Sequence, residues 1–213
     1  MIQNRSLPNH YNEQTVETSS PGKVIISKDG EVILYEFFFE VEESNQLFQE
    51  LYSDIKWRQE TIKMFGKCNP IPRLSAWYGD EGKSYIYSGI EHHPESWTPA
   101  LSLIKSKIEK VSQVRFNSVL LNLYRHGKDR MSWHSDDEPE LGKNPVIGSV
   151  SFGATRRFYL KHKKDKERKV AIDLSHGSLL LMRGETQHYW QHQITKTAKV
   201  VSPRINLTFR IVK

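Results

Sequence analysis

The C-terminal stretch SPRINLTFRIVK alternates strictly. Arg204, Asn206, Thr208 and Arg210 fall on one face of an extended chain, and Ile205, Leu207, Phe209 and Ile211 on the other. A period of two excludes a helix and demands a sheet whose apolar face lies in a core. The opposite face carries two guanidiniums, which a sheet interior does not tolerate unpaired. Either that face meets solvent or it lines a slot for an anion, and an organic dicarboxylate would satisfy both arginines. VLLNLYR argues against solvent, because Asn122 and Tyr124 share a face inside an otherwise apolar run and offer an amide and a phenol to a carboxylate. Six residues of strand span roughly 20 Å. Arg204 and Arg210 can therefore grip one small molecule only if the strand curves or their long arms converge.

Further short strands are expected at VIGSVSFG, RRFYL and GSLLLM, separated by Gly, Pro and charged loops. EVILYEFFFE (31–40) is a short apolar run. Two helices are expected. One is capped by Ser44, with Leu47, Phe48, Leu51, Tyr52 and Ile55 on one face. The other has Thr98 as N-cap, Pro99 at the first position and a stripe of Leu101, Ile104, Ile108 and Val111. Turns are expected at Phe65-Gly66-Lys67 and Gly79-Asp80-Glu81-Gly82. Together these predict a mainly β protein, an antiparallel double sheet of jelly-roll type with helices packed outside. KHKKDKERK (161–169) is read as a solvated hairpin end.

The 213 residues fit one domain. Residues 1–20 are polar and aperiodic, an expected flexible arm, and 21–213 form the domain. The charge of +6, from 31 basic and 25 acidic residues, suits a polyanionic partner without demanding one. A single cysteine, Cys68, excludes an internal disulfide and a Cys-rich zinc site. No apolar stretch approaches membrane-spanning length, so a soluble, intracellular protein without a membrane partner is expected.

In MSWHSDDEPE, His134 and Asp136 are two apart and point the same way in an extended segment. A third ligand must come from elsewhere, His192 in HYWQHQI being the best candidate and His188 its competitor. Two histidines and one carboxylate leave open positions on a metal, which suits ferrous iron binding a co-substrate and oxygen. An H-x-D pair alone is common by chance.

Taken together, PRLSAWYGD, NLY, H-S-D, SVSFGATRRF, HGSLLLM, the distal histidine and PRINLTFR resemble the AlkB family of iron(II)- and 2-oxoglutarate-dependent dioxygenases, in the family's order from about residue 57 onward. The resemblance implies a double-stranded β-helix (jelly roll) with its core in 114–213. It implies Fe(II) on His134, Asp136 and His192, 2-oxoglutarate as co-substrate and O2. Arg204 and Tyr124 would hold the distal carboxylate of 2-oxoglutarate, and Arg210 and Asn122 its metal-side end, with Asn206 nearby.

The finer resemblance is to the duplex-DNA-repair branch. It implies a monomer that oxidatively dealkylates bases of the 1-methyladenine and 3-methylcytosine type in DNA. In that branch 57–89 is a nucleotide-recognition region, where IKMFGK resembles a wedge hairpin with Phe65 filling the gap left by a flipped base. Tyr87 would stack on that base and Tyr85 would support the nucleotide. Glu138, with Asp137 beside it, would favour the positive charge of the alkylated base. Arg73 and Lys67 would touch phosphates. The pattern departs at Thr197-Ala198-Lys199, where the duplex branch carries a basic triplet and this chain keeps only Lys199, with Lys196 nearby. That departure admits RNA or single strands as substrate; a non-catalytic nucleic-acid binder is the remaining alternative.

Overall fold

The computed structural model describes the backbone of residues 21–64, 67–82, 85–87 and 90–213. In chain order the elements are β1 (Lys23–Ile26), β2 (Glu31–Tyr35), α1 (Val41–Asp54), β3 (Thr61–Met64), β4 (Lys67–Pro70), β5 (Leu74–Gly79), β6 (Tyr85–Tyr87), β7 (Ile90–His92) and α2 (Pro99–Ser112). There follow β8 (Ser118–Tyr124), β9 (Met131–His134), a 3-10 turn (Pro139–Leu141), β10 (Ile147–Gly153), β11 (Arg156–His162), β12 (Lys169–Leu174), β13 (Ser178–Arg183), α3 (Thr186–Tyr189), β14 (Trp190–Ile194) and β15 (Arg204–Arg210).

Two antiparallel sheets face each other. The large one runs β1-β2-β13-β10-β15-β8-β5 and the small one β12-β11-β14-β9; β3/β4 and β6/β7 form separate two-stranded pairs. Because β1, β2 and β5 join the large sheet, the sandwich reaches well outside 114–213. The predicted jelly-roll architecture is therefore present, with α1 and α2 outside it.

Two cores explain the alternation of β15. Ile205, Leu207 and Phe209 pack between the large sheet and the helices, with Leu101, Ile104 and Ile108 of α2 and Leu47 and Leu51 of α1. Between the sheets lies a second core that includes Leu34, Ile147, Phe158, Leu160, Leu180 and Trp190. The polar face of β15 looks into that inter-sheet space. Arg204, Asn206 and Thr208 are all buried there, so solvent is not what satisfies them.

α2 begins as predicted, with Thr98 Oγ1 accepting from the Leu101 amide at 3.2 Å and Pro99 in the first turn. α1 differs. It starts at Val41, with Glu40 as N-cap and Glu42 and Glu43 placed against the positive end of the helix dipole. Ser44 lies inside the first turn, its amide bonded to the Glu40 carbonyl at 2.8 Å and its side chain fully buried. The inward face of α1 is also narrower than expected: Leu47 and Leu51 are buried, whereas Tyr52 is exposed and stacks on Phe48 at 5.8 Å. The charge run 161–169 closes the β11–β12 hairpin, with Lys161 opposite Lys169 and residues 163–167 exposed. The expected turn at 65–66 lies outside the described residues.

Candidate metal centre and co-substrate slot

His134 ends β9 and His192 sits directly opposite it on β14. Between Met131 and His134 the register slips, three residues of β9 spanning two of β14. A bulge of this kind re-aims side chains at a strand end. The two imidazoles meet edge to face at 4.2 Å between centroids. Asp136, two residues past the strand end, brings its Oδ2 to 3.5 Å from His192 Nε2. One ligand atom from each of His134, Asp136 and His192 lies within 4.8 Å of the others. His188, the competing candidate, is exposed against Tyr189 and takes no part.

The protonation states suit a cation. Burial pushes the His192 imidazole down to about 3, so it is neutral with a lone pair to give. Burial alone would raise the Asp136 carboxyl, but the charged groups around it, Arg210 foremost, outweigh it and hold the group below the usual carboxylate range. His134 Nδ1 lies 2.9 Å from the Ser132 carbonyl. A carbonyl only accepts, so that nitrogen carries the hydrogen and Nε2 is left to ligate. Two imidazoles and one carboxylate gathered at one point are the donor set of non-haem Fe(II) oxygenases, and the residues present fit that ion.

The slot beside the triad has its own signature. Arg204 is fully buried; one terminal nitrogen donates to Ser151 Oγ at 2.9 Å, while Nε and Nη1 have no hydrogen-bond partner among the described residues. Burial lowers its pKa to about 10, so it is still a cation at neutral pH. It stands opposite Tyr124 in the β15–β8 ladder, its guanidinium 5.2 Å from the phenol ring centre. A buried cation with two idle donors calls for an anion, and a carboxylate matches that fork. Arg210, at the other end of β15, donates to Asp136, and its Nε has no partner among the described residues. Both arginines, the triad, Asn122, Tyr124 and Asn206 line one cavity, which answers the 20 Å difficulty: the arms converge. The Asn206 amide is held by Ser149 Oγ and the Val150 carbonyl, both at 2.9 Å. These contacts fit 2-oxoglutarate, with one carboxylate at Arg204 and the keto-acid end toward the triad.

A wider cavity of about 300 Å³ shares Leu120, Asn122, Met131, His134, Asp136 and Arg210 with the slot. Its far walls mix apolar side chains (Ile62, Ile71, Trp77, Leu141 and Val212) with Glu60, Glu138 and Glu140. Glu138 Oε2 is buried and has no hydrogen-bond partner among the described residues. Asp137 does not share that wall; it is exposed and paired with Lys163 at 3.2 Å. Arg73, expected at phosphates, instead lines the cavity and donates its Nε to Asn122 Oδ1 at 2.7 Å, tying β8 to the segment before β5.

Phe65 lies outside the described residues, and Lys67, Tyr85 and Tyr87 are described in backbone only. The sequence reading missed Ser149 and Ser151, although they alternate with Val150 and Phe152 in VIGSVSFG and the logic applied to β15 finds them. It also missed Gln187, for which no periodic signal exists.

The model of the 2OG-Fe(II) oxygenase superfamily matches residues 31–210. The human alkB homolog 3, named an alpha-ketoglutarate-dependent dioxygenase, is 44% identical over 190 residues, which are 85% of this chain and 66% of that protein. The chain thus spans just under two thirds of that relative's length. Human ALKBH2, named a DNA oxidative demethylase, is 40% identical over 83% of this chain and 71% of its own length. The solved structure of OsALKBH1 superposes with a TM-score of 0.59 over 89% of this chain and all of that one, at 17% identity, a likeness of fold. The chain belongs to the 2OG-Fe(II) oxygenase superfamily and, within it, to the AlkB homologues.

Proposed function

We propose that this enzyme removes N-linked alkyl groups from bases of the 1-methyladenine and 3-methylcytosine type in DNA, by oxidation and direct reversal. The observation that carries this reading is the buried, unpaired Oε2 of Glu138 in a base-sized cavity that shares its inner wall with the triad. An unmatched carboxylate oxygen in the wall of that cavity favours a cation, and alkylation at those ring nitrogens makes the base one. The similarity to a protein named DNA oxidative demethylase points the same way.

Iron, when bound, couples decarboxylation of 2-oxoglutarate by O2 to hydroxylation of the N-alkyl carbon. The balance is N-methyl base, 2-oxoglutarate and O2 going to free base, formaldehyde, succinate and carbon dioxide; the N–C bond breaks as the hydroxylated carbon leaves as aldehyde. The protein's own groups position and exclude. Arg204, with Tyr124 beside it, holds the distal carboxylate, and Asn122 and Arg210 orient the other end. Arg210 also steadies Asp136. Leu120, Met131, Leu141 and Val212 keep water from the alkyl group. On this reading Glu138 contacts the charged base, Tyr87 stacks on it and Tyr85 supports the nucleotide. Phe65 occupies the gap in the stack, which offsets part of the few kcal/mol that flipping costs, and Lys67 meets phosphate. The working form is an intracellular monomer.

Asp136→Ala should abolish 2-oxoglutarate-dependent formaldehyde release from 3-methylcytosine DNA, and undiminished release would refute the ligand assignment. A second reading, single-stranded DNA or RNA as substrate, is favoured by Thr197-Ala198-Lys199, in which Lys199 alone is basic and is exposed. Turnover on duplex, single-stranded DNA and RNA at one fixed salt concentration separates the two.

A further inference from the structure

The ligand Asp136 lies beyond the end of β9, where no ladder partner holds its backbone. Its buried amide instead donates to Gln187 Oε1 at 2.9 Å. Gln187 belongs to α3, the single turn between β13 and β14, and is 1% exposed. An amide N–H only donates, so the oxygen of the Gln187 carboxamide faces Asp136, and its nitrogen lies 3.7 Å from Met182 Sδ. The turn itself is tied down. Thr186 Oγ1 donates toward the carbonyls of Arg183, at 2.6 Å, and Glu31, at 3.1 Å, and accepts from the Glu31 amide at 2.9 Å. Two further links fasten the ligand loop to the same bracket. Ser135 Oγ donates to the Trp190 carbonyl at 2.9 Å. Lys163 Nζ reaches the Gln187 carbonyl at 2.9 Å and Asp137 at 3.2 Å.

We infer that Gln187 is a positioning residue for the metal centre. It sets the Asp136 carboxylate against His192 before any ion arrives, because α3 leads directly into the strand that carries His192. One carboxamide thus joins the two arms of the triad, which are otherwise distant in sequence. The groups behind metal ligands commonly govern affinity by ten- to a hundredfold, about the effect of losing ligand orientation. The inference rests on the iron-site reading of His134, Asp136 and His192.

The test uses Co(II) as the probe, titrated into the full-length metal-free protein and followed by its visible d–d absorption, with thermal unfolding of the same metal-free samples alongside. Wild type should bind one Co(II) and Asp136→Ala should not; equal binding by both overturns the metal centre itself, and with it this inference. Gln187→Leu keeps the volume and removes the acceptor, and should weaken Co(II) binding at least tenfold while well below its unfolding midpoint. Gln187→Glu keeps an accepting oxygen and should remain within about threefold of wild type. Should the leucine variant not fold, Gln187→Met reads the same loss of acceptor. Acceptor-free variants that bind within twofold of wild type overturn the inference while leaving the metal centre standing. So does an equal loss in Gln187→Glu, which retains an oxygen to accept from the Asp136 amide. A residue that merely supports the fold would lower the unfolding temperature without moving the Co(II) dissociation constant or the band shape of the folded protein.

Discussion

The two faces of β15 both turn away from solvent and are differently satisfied. Toward the helices, Ile205, Leu207 and Phe209 are wholly excluded from solvent, and Phe209 lies between Trp97, stacked at 6.2 Å, and Phe116 at 5.9 Å. Toward the sandwich interior, Arg204 is as deeply buried yet keeps two nitrogens idle, and Arg210 keeps one. Burial alone therefore does not separate core from site. Saturation does: the outer face is complete in the folded chain, whereas the inner face is completed only by an ion and an anion.

That contrast breaks if the two faces respond alike. Phe209→Ala should cost about 3–5 kcal/mol of stability by opening a cavity under the helices, seen as a lowered denaturant midpoint with 2-oxoglutarate affinity unchanged in the folded fraction. Arg204→Met should do the reverse. Metal-free stability should hold or rise, because an uncompensated buried charge is removed, while 2-oxoglutarate binding to the Co(II) form weakens on the order of a hundredfold, about 3 kcal/mol. The inner face should also be the pH-sensitive one. His192 is neutral when folded, with its pKa lowered to about 3 by burial, and titrates near 6.5 when unfolded. The unfolded chain therefore takes the proton first, and stability is lost as pH falls below 6.5. Between pH 6.5 and 5 the metal-free protein should lose about 2 kcal/mol from this group, measured by urea unfolding and absent in His192→Leu. Asp136 is also lowered, so further loss below pH 4 has the same sign. The smallest expected effect is on the helix layer: Thr98→Ala removes the cap of α2 and should cost about 1 kcal/mol without touching metal affinity.

Much of the site was legible because it is built on strands. A period of two places Arg204, Asn206 and Arg210 on one face of their strand and Asn122 with Tyr124 on one face of theirs; the family resemblance joined the two sets, and the β15–β8 register brings them together. The H-x-D spacing likewise pointed His134 and Asp136 the same way. Helix α2 was legible from Thr98 and Pro99. Helix α1 was displaced because Ser44 is a good cap by type, yet its hydroxyl is more useful buried under Phe39 than at the terminus. Asp137 and Glu138 are adjacent carboxylates with opposite fates, and only the position of Lys163 tells them apart. Arg73, read as a phosphate contact, lines the wider cavity and bonds Asn122, because a long side chain reaches wherever its backbone neighbours leave room.

By itself the chain determined which residues share a face, since pleat and helix pitch follow from local geometry and need no knowledge of neighbours. It also carried the donor types, imidazole, carboxylate and guanidinium, whose order along the chain resembles a family that uses a metal and an organic acid. Tertiary structure decided the choice of His192 over His188, the meeting of two arginines at one slot, the idle oxygen of Glu138 and the bracket through Gln187. These depend on strand register, a bulge and the approach of distant segments. Such distances are set by the packing of the whole sandwich and leave no periodic trace in any one stretch.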